Sequence, residues 1–213
     1  MPLPLPQIRQ LILNPSNGTL FTEELGLFQA ITSNLPFVAQ AGRKQYGNAL
    51  QNVLATMQAG RDFTKRADVA AYLPFALHPL LSVGGRLGII ITNAWLGTDW
   101  GNDFYRQLNV YYDLKCVITS GAGRWFKNSE VVTNILIMDK KSDHNQLSGD
   151  VKFVVLTRPL EEMADDEAVQ IAAAQIEIGQ TQNETMTIRA VSQENMALYR
   201  PLGLGGNAPI CKL

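Results

Sequence analysis

The sequence predicts an α/β fold, with a mostly parallel sheet flanked by helices. Two observations carry this. Unbroken aliphatic runs such as Leu87 to Ile91 read as strands apolar on both faces, which a sheet covered by helices on both sides requires. Segments with apolar residues at helical spacing fall between those runs, and strands alternating with helices favour parallel pairing. The chain has 213 residues with 46% hydrophobic content, enough for a sizeable core, and 17% charge sets it apart from disordered sequences.

Residues 1 to 24 hold several Pro and Asn and read as an irregular segment. A short apolar stretch from Leu27 to Ile31 then leads, strand-like, into Asn34-Leu35-Pro36-Phe37. Over 44 to 58, Tyr46, Leu50, Val53, Leu54 and Met57 recur at helical spacing. Asp68 to Leu81 is a second helical segment, ended by Val83-Gly84-Gly85, in which Pro74 either opens the helix or kinks it. The Leu87 strand exits at Thr92-Asn93-Ala94-Trp95, and Asp103 to Leu108 suits a short helix. Three strands come next: "LKCVITS", the run within 130 to 141, and "VKFVVLT". A helix over 159 to 176 starts with Pro159 and an acidic turn, Glu161 to Glu167, that reads as a solvated helix start. From Gly179 onward the chain is polar and turn-rich. The organisation is therefore an irregular segment (1–24), a sheet region (25–158) and a C-terminal helix with a polar tail (159–213).

Charge and cysteine usage narrow the function classes. A formal net charge of -1 gives no global basic field, so nucleic acid would have to meet a local patch. Cys116 lies in an apolar run far from Cys211, where a buried free thiol is expected. No segment is apolar for long enough to cross a bilayer, and the N-terminus lacks a signal-peptide pattern. The expectation is a cytoplasmic protein. His78 sits among apolar residues as a core histidine, and His144 lies in a polar turn with no partner at metal spacing.

"SNLPF" is the stretch that points to chemistry. The Asn34 side-chain oxygen and the Leu35 carbonyl can accept two hydrogen bonds from one amino group. Pro36 restricts Leu35 to extended conformations, and Phe37 offers a flat face for a base. On four residues alone an ordinary turn explains the same pattern. In an α/β sheet, ligands sit beyond the carboxyl ends of strands. The Asn34 and Asn93 exits could therefore line one crevice.

With its surroundings, the stretch resembles the catalytic motif of DNA adenine amino-methyltransferases, Asn/Asp-Pro-Pro-Tyr/Phe. "DVAAYLPFALHPLLSVGGRLGIIITNAWLGTDWGNDFYRQL" and "CVITSGAGRWFKNSEVVTNILIMDK" are similar, in order and spacing, to the segments after that motif in modification subunits of type I and related restriction systems. The resemblance covers residues 25 to 141 or so. It implies a partial Rossmann-like methyltransferase sheet, S-adenosylmethionine as methyl donor, DNA as partner, and a specificity subunit. It makes Asn34, Leu35, Pro36 and Phe37 the catalytic set.

Two departures stand out. Leu35 replaces the first proline of the motif. The cofactor half, a strand leading into a Gly-rich turn and then an acidic residue, is missing from residues 1 to 30, where Gly18 and Gly26 are isolated. The cofactor site is therefore expected on another chain or domain. A permuted site built from Gly121, Gly123 and Asp139 is the alternative within this chain, but no convincing helix comes after Gly123, so that stretch is expected to be a loop between antiparallel or neighbouring strands; "GLGGN" near the end reads as a turn. Arg124, Trp125, Phe126 and Lys127 interleave charge with aromatics and suit phosphates and an extruded base, or else form a surface loop with Trp125 or Phe126 tucked into the core. Arg43, Lys44, Lys65 and Arg66 extend a basic rim or are solvated helix charges. Two other readings stay open: an inactive, truncated or split methyltransferase-like module, and a catalyst acting on an RNA base or a protein glutamine.

Overall fold

A computed structural model describes residues 8–13, 20–34, 67–126, 131–163, 165–179, 181–192 and 195–196. The helix expected over 44–58, and with it Leu35, Pro36, Phe37, Lys127 and Cys211, lies outside these described residues.

The described parts of the N-terminal segment are strands rather than irregular chain. Strands β1 (Ile8–Leu13) and β2 (Leu20–Leu25) pair antiparallel, Ile8 opposite Leu25 and Leu13 opposite Leu20. The sequence between them, Asn14 to Thr19, contains Pro15 and Asn17-Gly18. Turn residues between two six-residue runs are a hairpin signal; Asn14, Pro15 and Asn17 belong to the sequence joining the two strands, while Pro2, Pro4 and Pro6 precede β1.

The main sheet has seven strands: β3 (Phe28–Asn34), β4 (Leu81–Thr92), β5 (Tyr112–Ser120), β6 (Thr133–Lys140), β7 (Val151–Leu156), β8 (Thr181–Gln182) and β9 (Met186–Val191). Their order is β3-β4-β6-β5-β7-β9-β8. Pairs β3–β4 and β5–β7 are parallel, while β4–β6, β5–β6, β7–β9 and β8–β9 are antiparallel. Five strands thus share one direction, and β6 and β9 run against them, so the sheet is mixed. The short connection from β5 to β6 explains part of this, since antiparallel neighbours can be joined without a crossover helix.

The sheet also runs past residue 158. Met186, Ile188 and Val191 are buried in β9, which pairs with β7, so the region read as a polar tail contains an integral strand. Its short run of alternating burial is easily lost between polar neighbours.

Each face of the sheet carries its own core. On the first, Leu87, Ile89, Ile91, Leu136, Met138 and Phe153 pack under residues 69–80 and the helix from Asp99 to Tyr111. The 69–80 segment is broken: a 3-10 turn (Val69–Tyr72), helix α1 (Leu73–Leu77) with Pro74 in its first turn, and a second 3-10 turn (His78–Leu80). The Tyr112 hydroxyl donates to the Pro74 carbonyl at 2.6 Å and fastens this segment to β5. Gly84 and Gly85 do not end a helix as expected but lie within β4. Gly84 takes φ +73, and the pairing with β3 jumps from Phe28 opposite Leu81 to Ala30 opposite Arg86.

Helix α2 (Asp99–Tyr111) is longer than the expected 103–108. On the second face, Cys116, Ile118, Val154 and Leu156 pack with Trp125, Leu160, Met163 and helix α3 (Asp166–Ile178). The acidic helix start is a cap, because the Asp165 carboxylate accepts from the Ala168 N–H at 2.8 Å. Ile90 lies on this second face and is only half-buried, so β4 is fully enclosed on one side rather than two.

Candidate functional site

Asn34 is the last residue of β3 and is exposed. In the parallel β3–β4 register it stands opposite Ile90, two residues before Thr92 closes β4. The two exits therefore lie at one end of the sheet, the arrangement expected for a shared crevice. Beyond Thr92 the chain turns through a 3-10 segment (Asn93–Leu96) in which Asn93 is exposed and Trp95 is buried. The exit of β5, leading to Gly121 and Arg124, opens at this end as well, since Thr119 pairs with Asn134 and Asn134 pairs with Ile91.

A polar group behind these exits has no counterpart in the sequence reading. The Trp95 indole N–H donates to Asn134 Oδ1 at 3.2 Å, and both residues are buried. Asn134 Nδ2 is buried with no hydrogen-bond partner among the described residues. The Thr92 hydroxyl donates to Asp68 Oδ2 at 2.9 Å, and the Asn93 N–H donates to the Val132 carbonyl at 2.8 Å. The Trp95 ring stacks on Tyr105 with an interplanar angle of 10° and meets Phe104 edge-on. These contacts fix the turn after β4. Polar residues at the ends of apolar runs, Thr92 after "LGIII" and Asn134 before "ILIM", were the available signal.

The loop after β5 resolves one choice. Trp125 is half-buried against the second core, with its indole nitrogen enclosed and without a partner among the described residues, so its ring is tucked inward; Arg124 is exposed. The permuted cofactor site does not form. Gly121 comes after the carboxyl end of β5, whereas Asp139 pairs across from Asp113 at the other end of the strand. Asp139 is instead held by the Arg86 guanidinium through bonds of 2.7 and 3.1 Å. No described helix starts after Gly123 and before β6. These residues do not fit S-adenosylmethionine.

At the opposite end of the sheet His78 packs edge-on against Tyr111 and Tyr112, as a core histidine does. Burial, then the nearby Lys140 and His144 charges, lowers its pKa to about 4. Burial raises the Cys116 thiol to about 12, so it stays protonated and poorly nucleophilic at neutral pH.

This fold is similar to that of restriction–modification methyltransferases. The type IIG restriction endonuclease BpuSI superposes with a TM-score of 0.58 at 13% identity, over 84% of this chain and 20% of that one. The M protein of the type I restriction enzyme EcoKI gives 0.51 at 18% identity, over 83% and 42%. The type I methyltransferase subunit from Streptococcus thermophilus gives 0.53 at 14% identity, over 84% and 37%. The chain thus spans less than half the length of each. No protein-family model and no curated protein sequence matches it. Among the described residues no helix is long and apolar enough to cross a membrane.

Proposed function

We propose that this chain is the amine-presenting half of a DNA adenine methyltransferase belonging to a restriction–modification system, acting in the cytoplasm. The observation that carries the reading is the pairing of exits: exposed Asn34 at the end of β3 beside the Asn93–Leu96 turn that ends its parallel neighbour. The likeness in fold to restriction–modification methyltransferases supports the class.

In this reading the target adenine leaves the duplex and its exocyclic amine donates to the Asn34 side-chain oxygen and the Leu35 carbonyl. Pro36 holds that carbonyl in place, and Phe37 stacks on the ring, a contact worth about 1–3 kcal/mol per base. Two acceptors on one amine orient its nitrogen lone pair away from the protein and toward an electrophile, and positioning is the main demand of such a transfer. Arg124 and Lys127 meet phosphates near the β5 exit. The methyl donor is S-adenosylmethionine, held by a separate chain or domain, and a specificity subunit selects the DNA sequence.

A second reading, a methyltransferase-like module without activity, draws on Leu35 in place of the first motif proline. Calorimetry separates the chain's share of the machinery from its partner's. The isolated chain is expected to show no saturable heat with micromolar S-adenosylmethionine. Clear saturable binding would overturn the assignment of the cofactor to another chain.

A further inference from the structure

A cavity of about 580 Å³ lies between the second face of the sheet and α3, and neither Asn34 nor Asn93 lines it. Its floor is Cys116, Ile118, Ile135 and Ile137, and its roof includes Met163 and Ala172. The volume falls within the range of small-molecule pockets. Helix α3 covers it only in part: the helix has no fully buried residue, and Val169, on the cavity wall, is 54% exposed.

The charges sit at one mouth, toward the amino ends of β4, β5 and β7, and the cations there are already engaged. Arg86 forms a two-point pair with Asp139, and Lys115 pairs with Asp113. The Lys152 ammonium donates to the Ile176 and Glu177 carbonyls at 2.7 Å each, capping the end of α3. Asp150 and Glu177 are exposed at the rim. An anionic ligand would have to break an ion pair or strip a helix cap to find a counter-charge. A cationic one would find carboxylates only at the exposed rim, Asp150 and Glu177, and any charge carried deeper would lie against apolar walls.

We infer that this cavity is a binding site for an uncharged, mainly apolar or aromatic small molecule, inserted between α3 and the sheet. The site is independent of the amine-gripping turn, because no cavity residue belongs to the strand exits at Asn34 and Asn93.

The test uses the full chain and two fluorescent probes. N-phenyl-1-naphthylamine, which is neutral, is expected to bind saturably at one site per chain and to raise the melting temperature. Its sulfonated analogue, 1-anilinonaphthalene-8-sulfonate, should bind at least about tenfold more weakly, because its charge would be desolvated without a free cation. Ala173→Trp places bulk in the mouth from an exposed position and should abolish neutral-probe binding while the protein still melts cooperatively. Ala172→Phe, which fills the roof, gives a second reading should the first variant fail to fold. Equal binding by wild type and both variants, equal affinity for the two probes, or no saturable binding would each overturn the inference. So would probe displacement by concentration-dependent self-association in sedimentation, which would make a second copy of the chain the occupant.

Discussion

Asn134 is the single residue on which the turn after β4 most depends. Its Oδ1 accepts from the buried Trp95 indole N–H, and the turn that carries Asn93 is built around that ring. Asn134→Ala leaves a buried donor unsatisfied and is expected to cost about 1–3 kcal/mol in chemical denaturation. A midpoint unchanged from wild type would show that Trp95 does not need this acceptor. His78 governs a different property. Its pKa is about 4 when folded against an ordinary value of 6.5, so between those values the unfolded chain binds more protons. Stability contributed by the neutral imidazole is complete above pH 6.5 and is lost as pH falls toward 4. His78→Phe should therefore flatten that stretch of the melting-temperature profile relative to wild type, and parallel profiles would contradict the burial of a neutral imidazole.

Among the elements, α2 owes its start to one glycine. A Cβ on Gly101 would fall 1.7 Å from the Trp95 carbonyl oxygen, backbone that cannot step aside. Gly101→Ala should destabilise by at least about 1–3 kcal/mol, read as a lowered melting temperature, and a neutral effect would mean the turn and helix are not packed this closely. Glycine also explains why the helix was legible only over 103–108: Gly101 reads as a breaker until the packing it permits is known. The strands were legible where they were aliphatic, as at Leu87 to Ile91 and Ile135 to Ile137. They were not where they were short and alternating, as in β9, or where turn residues dominated the local composition, as between β1 and β2. Direction was harder still. A strand's apolar content says that its faces are covered, not which way its neighbour runs, so only the lack of a helix after Gly123 pointed to β6 as an antiparallel or neighbouring strand of β5. The Asn34 exit was readable because it needs one local stretch of chain. The Asn134–Trp95 bond was not, because it joins residues 39 positions apart in the chain.

On the scale of the whole molecule, two cores on opposite faces of one sheet leave its carboxyl end free to present Asn34, Asn93 and the loop after β5. Ile89 lies in the first core at 1% exposure, so Ile89→Asp buries an unpaired carboxylate at a cost of several kcal/mol, comparable with a domain's total of about 5–15 kcal/mol. Soluble, cooperatively melting Ile89→Asp protein would contradict this arrangement of the core. The central claim is that the carboxyl end grips an amine. It is tested most directly by measuring incorporation of labelled methyl groups into DNA by the assembly that supplies the cofactor half, with wild type and Asn34→Ala compared side by side. The claim predicts a loss of at least about 100-fold, since a misplaced amine forfeits its orientation, with a melting temperature unchanged because Asn34 is exposed. Undiminished methyl transfer by Asn34→Ala, or a lost activity matched by a lowered melting temperature, would contradict it.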